Sequence, residues 1–168
     1  MKINSILLIC LPNGGGLHRK HAISQMTNCP VGYCMARNKE EILDVFSDDT
    51  LTADVIIIDG HGDNGEFVAS YDWEEMISQS EIKEHFTKKN SIIISCACDT
   101  GVKELADIFV ANNICYIAPD KEVEWTGDSA FVTRFIYELC TKGNDITTSL
   151  NNANSIDNET SCYKLFTK

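Results

Sequence analysis

"ADVIIIDGHGD", residues 53–63, decides the fold. From Val55 to Ile58 every residue is β-branched, and no polar residue alternates with them. Such a run reads as a strand buried on both faces, as central strands of parallel sheets are. It ends abruptly in Asp59 and Gly60, and His61 follows between two glycines. A second stretch, "SIIISCACDTG" at 91–101, repeats the design with cysteine in place of histidine.

Working outward, strands and helices alternate. Strands are expected at 3–11, 31–36, 53–59, 91–95, 114–118 and 161–166. Helices are expected at 17–26, 39–46, within 79–89, at 101–113, 127–143 and near 147–154. "GEFVASYDWEEM" (65–76) reads as a short excursion or hairpin. No internal repeat or low-complexity linker interrupts the pattern. The reading is one α/β domain over residues 1–168, with a mostly parallel sheet of about six strands flanked by helices.

Composition narrows the function. A formal charge of −11 and the lack of a long basic stripe argue against a nucleic-acid polymer or an anionic membrane as partner. No apolar stretch approaches the roughly 20 residues of a membrane span. The opening "MKINSILLICL" reads as a buried strand rather than a secretion signal, because no small-residue cleavage site follows it. The eight cysteines lie largely in apolar runs such as "LLICL" and "NICYIA", so reduced thiols in a cytoplasm are expected. There is no Cys-x-x-Cys, and no metal site is expected.

Sites in open parallel sheets form beyond the carboxyl ends of the strands. Neighbouring strands lie about 4.8 Å apart, so His61 and a cysteine at the next strand end can meet as base and nucleophile. Gly62 leaves its backbone N–H accessible, and with the N–H of Cys98 it forms a candidate oxyanion hole. Cys98 is preferred to Cys96 as nucleophile: with Asp99 or Thr100 as N-cap, it sits at the positive end of the following helix. His85 reads as a solvated helix residue. His18, Arg19 and Lys20, after the glycine-rich "PNGGG", are candidates for a phosphate-bearing ligand or an acidic substrate residue; the alternative is a solvated helix start. The loop lacks the Gly-Lys-Ser/Thr of a P-loop, so nucleotide hydrolysis is not expected.

The same residues carry a family resemblance. "DGHGD" (59–63) and "SCACDTG" (95–101) resemble the His-Gly and Ala-Cys-Glu-Thr-Gly signatures of CHAT domains, relatives of caspases and separase. "FIYELCTKGNDITTSLNNAN" (135–154) and the closing "CYKLF" look like that family's late helices and final strand. The resemblance implies a caspase-like three-layer sandwich and a cysteine endopeptidase. Cys98 would be its nucleophile and His61 its base, with a polypeptide substrate and no cofactor. It further implies a bacterial, antiphage-type effector switched on by a separately supplied signalling nucleotide or partner protein. Asp99 stands where the family usually has Glu, and "PDKEVEWTGD" (119–128) orders its Val and Trp differently. Cys96 is neutral at the position that carries an acid in relatives cutting after basic residues. In caspase relatives the stretch after the fifth strand contributes to the substrate cleft. Asp120, Glu122, Glu124 and Trp125 are therefore candidates for contacting a basic substrate residue; a charged surface loop is the alternative.

Two other functional classes stay open. One is a caspase-fold module that binds a small-molecule signal or scaffolds a complex without cutting. The other is a redox sensor built on Cys96 and Cys98.

Overall fold

The computed structural model describes residues 2–168. In chain order the elements begin with β1 (Ile6–Cys10), α1 (Gly16–Met26), β2 (Val31–Met35), α2 (Lys39–Ser47) and β3 (Val55–Asp59). A small excursion follows, made of β4 (Gly62–Asp63), β5 (Glu66–Val68) and β6 (Met76–Ile77). The chain continues through α3 (Gln79–His85), β7 (Ile92–Ser95), α4 (Lys103–Ala111), β8 (Cys115–Pro119), α5 (Trp125–Ile136), α6 (Ile146–Asn154) and β9 (Tyr163–Phe166). Each expected strand and helix is found, with ends shifted by a few residues.

The central sheet has six strands in the order β2-β1-β3-β7-β8-β9. All pairs are parallel except β8 with β9. The two β-branched runs are central neighbours, with Ile58 opposite Ser95. They emerge side by side, which brings the His61 and Cys98 loops to one edge.

Alternation along the strands sorts the core into two layers. Ile56, Ile58 and Ile93 pack with Phe46, Ile82, Leu105 and Phe109, so α2, α3 and α4 cover that face. Val55, Ile57, Ile92 and Ile94 pack with Ile23, Phe131, Phe135 and Leu150, so α1, α5 and α6 cover the other. The result is a three-layer sandwich. Local chemistry starts several helices: Asn38 accepts from the Glu41 N–H, Asp145 from that of Thr148, and Ser78 with Glu81 forms a reciprocal capping box. No described helix is long and apolar enough to cross a membrane.

Candidate active site

Three strand ends and the start of α5 converge on one cleft of about 60 Å³. Asn13, Gly14 and Gly15 come from the loop after β1; Asp59 ends β3, and Gly60 and His61 follow it; Cys96 and Cys98 follow β7; Val123, Trp125 and Asp128 follow β8. Thus His61, Cys96, Cys98 and Trp125 line one wall system. The larger surface hollow beside Asn38, Glu75 and His85 is lined by no cysteine, and the one that Cys29 and Cys140 line holds no histidine.

The turn carrying Cys98 is shaped by Thr100. Its buried hydroxyl donates to the Ala97 carbonyl at 2.6 Å and lies 2.7 Å from Ser95 Oγ, while the Tyr116 hydroxyl donates to the Thr100 carbonyl at 3.0 Å. Asp99 adopts a left-handed φ of 53°, a conformation costly for a residue with a Cβ. The Gly101 N–H donates to the Pro119 carbonyl at 2.8 Å. These bonds hold the chain in a turn, and α4 starts only at Lys103, with Val102 as its uncapped N-cap. The expected N-cap at Asp99 or Thr100 is therefore corrected: Thr100 spends its hydroxyl on the turn. Cys98 does not sit at that helix terminus, and burial pushes its thiol pKa up from 9.0. Its sulfur receives the Val123 N–H at 3.3 Å and donates to the Val123 carbonyl at 3.5 Å. Cys96 is buried deeper, and desolvation raises its pKa well above 9.0, which makes it the poorer nucleophile.

His61 opens the excursion. Asn64 and Gly65 both have positive φ, 50° and 79°, as a two-residue hairpin turn with the sheet's twist requires. The Val68 N–H donates to the His61 carbonyl at 3.0 Å. In the alternating antiparallel pattern the next pair, Gly62 with Phe67, then exchanges no ladder bonds, so the Gly62 N–H points away from β5. A Cβ on Gly62 would lie 2.8 Å from the Cys98 carbonyl oxygen, so the two loops touch through backbone. The Cys98 N–H has no acceptor among the described residues. The His61 ring packs against Trp73, with centroids 4.3 Å apart, and does not hydrogen-bond to Cys98.

The remaining sequence candidates divide. Asp120 pairs with Lys164 at 3.4 Å, and it, Glu122 and Glu124 are outside the cleft lining; Glu122 is near enough to raise the Cys98 pKa. His18 is exposed and Lys20 lies over the Tyr33 ring at 5.8 Å, while Arg19 turns inward and is 5% exposed. Helical geometry sends consecutive residues in different directions, so the three do not form one anion-facing patch.

The acids that do line the cleft are Asp59 and Asp128, and both are bridged by Arg19. The Tyr163 hydroxyl donates to the other Asp128 oxygen at 2.6 Å. Burial pushes the Asp128 carboxyl up, against the opposing pull of Arg19. Asp59, Cys96 and Asp128 place a donor atom each within 4.8 Å of one another, but Arg19 already supplies the cation. Sequence reading named Cys96 and Arg19 but missed Asp59 and Asp128, although the signal was present. Asp59 continues the Val55–Ile57 row, Cys96 continues the Ile92–Ile94 row, and Asp128 begins a buried stripe with Phe131, Val132 and Phe135.

The sandwich, its strand order and the antiparallel last strand define a caspase-like α/β fold. Among solved structures it is similar to that of the Arg-specific cysteine proteinase gingipain R (RgpB), with a TM-score of 0.66 over 99% of this chain and 13% identity. A complex of the Porphyromonas gingivalis RgpB pro- and mature domains matches 98% of the chain, with a TM-score of 0.62 and 12% identity. The chain spans about half the length of these proteins, 46% and 47%. No family model and no curated protein matches the sequence.

Proposed function

We propose that the chain is a caspase-like cysteine endopeptidase. The observation that carries this reading is the meeting of His61, Gly62 and Cys98 at adjacent strand ends, with Gly62 pressed against the Cys98 backbone. The likeness in fold to RgpB, an Arg-specific cysteine proteinase, supports the same class.

In this mechanism Cys98 Sγ attacks the peptide carbonyl while its proton passes to His61. The carbonyl oxygen becomes an oxyanion that accepts from the Gly62 and Cys98 N–H groups. Collapse breaks the C–N bond, His61 returns the proton to the leaving amine, and a thioester remains. Water, deprotonated by His61, then hydrolyses the thioester and releases the acid. No cofactor takes part. Before attack the sulfur must give up its contacts with the Val123 backbone, which a substrate or second factor that shifts the 121–125 loop would release. That requirement fits a peptidase switched by a signalling nucleotide or a partner protein, as in antiphage effectors.

The resting contacts of Cys98 with Val123 also favour a second reading, a caspase-fold module that binds without cutting. One experiment separates the two. Fluorogenic peptides of mixed sequence are offered to wild type, Cys98→Ala, His61→Ala and Cys96→Ser, each with and without a nucleotide-rich cell extract. The peptidase reading expects turnover in wild type and Cys96→Ser and none in the other two. Silence in every condition moves the assignment to the binding module, and turnover that survives Cys98→Ala removes Cys98 as the nucleophile.

A further inference from the structure

Arg19 is a costly residue to bury. Its side chain projects from the inward face of α1, one turn before the buried Ile23, and meets carboxylates from two other elements. Nη2 bonds to Asp128; Nε lies 3.2 Å from Asp59 Oδ2 without hydrogen-bond alignment; Nη1 has no partner. The Trp125 ring covers the guanidinium, 5.0 Å from Cζ to centroid. Desolvating three charges for so few aligned bonds is poor economy as pure stabilisation, since apolar replacements of such groups are often neutral or better. The location supplies another reason. Asp59, Cys96, Trp125 and Asp128 all line the cleft that holds Cys98, so the ion cluster forms its floor.

Two carboxylates and an aromatic face are what a binding site uses to seat a guanidinium. Here the seat is occupied from within the chain. The space left is small, about 60 Å³, and Arg19 already lies between the two carboxylates that would take a cationic side chain. An acidic substrate side chain would meet two carboxylates, and a cationic one would meet Arg19.

We infer that Arg19 is an internal plug in a guanidinium seat formed by Asp59, Asp128 and Trp125, and that it restricts the residue whose carbonyl is attacked (P1) to a small, uncharged side chain. The specificity half of this inference rests on the peptidase reading; the occupancy of the seat does not.

Two arms test it. In the first, melting of wild type, Arg19→Ala and Arg19→Ala/Asp128→Asn is followed with methylguanidinium chloride against matched sodium chloride. The cation raises the melting temperature of Arg19→Ala by about 2–4 °C at a few times its Kd, and leaves the other two unmoved. Should Arg19→Ala lack a cooperative transition alone, methylguanidinium restores one. Equal response of all three proteins, or no response or restoration in Arg19→Ala, overturns the seat.

In the second arm, kcat/KM is compared for peptides differing only at P1. Wild type prefers Ala or Ser over Arg, and Arg19→Ala shifts the Arg-to-Ala ratio upward by about tenfold or more. Wild-type cleavage after Arg as fast as after Ala overturns the plug. If no peptide is turned over, the peptidase reading falls, and the melting arm alone decides whether Arg19 fills a guanidinium seat.

Discussion

Cys98 sits where the proposed peptidase would have its nucleophile, yet its surroundings hold it as a thiol. Burial raises its pKa from 9.0, Glu122, Asp99 and Asp128 add to the rise, and only the Val123 N–H works the other way. A raised thiol pKa means less thiolate at neutral pH than in free cysteine. Iodoacetamide labelling of Cys98, read by peptide mass, should therefore climb through pH 9 with no plateau near neutrality. A plateau below pH 8 would show that something else already stabilises the thiolate. The position of Cys98 was legible in the sequence, because it follows a strand by simple counting. Its electrostatics were not. The assumed helix start failed because Thr100 turns its hydroxyl back to Ala97, a contact that depends on the folded turn.

At the scale of elements, the site is a contact between two connections, the β3–β4 link and the 96–101 turn. The hairpin was foreshadowed by Asn64-Gly65, whose positive φ values suit a two-residue turn. Its fit against the cysteine turn was not, because that depends on Gly62 lacking a side chain. A Cβ there would meet the Cys98 oxygen and Thr100 Cγ2 at 2.8 Å and Ala97 Cβ at 2.9 Å. Gly62→Ala should keep the far-ultraviolet circular dichroism of the wild type while peptide turnover falls by about 10²-fold, the cost of roughly an ångström of misplacement. Turnover within about twofold of wild type would mean that the backbone approach is incidental. The acids after β8 mark the limit of reading by element. "DKEVE" looked like a cleft lining, but folding sends Asp120 to Lys164 and leaves Glu124 outside.

For the whole molecule, the sheet is a rigid frame that both loops share. Ile57 in β3 is fully buried in the layer under α1 and α5. Ile57→Ala should cost about 2–5 kcal/mol, measured as a lower urea midpoint at unchanged m-value. A loss below 1 kcal/mol would imply a loosely packed frame that could not hold the loops in register.

What the sequence alone determined was the α/β alternation, the two central strands and the arrival of His61 and Cys98 at their carboxyl ends. Those features follow from local branching and periodicity, which act over a few residues. Only the tertiary structure decided how the cleft is charged. Arg19, Asp59 and Asp128 lie on α1, β3 and α5, far apart in the chain, and a charged letter in a sequence does not show whether water reaches it. Burial does: once α1 and α5 pack on the face of the sheet from which Asp59 of β3 projects, the charges lose solvent and must answer one another.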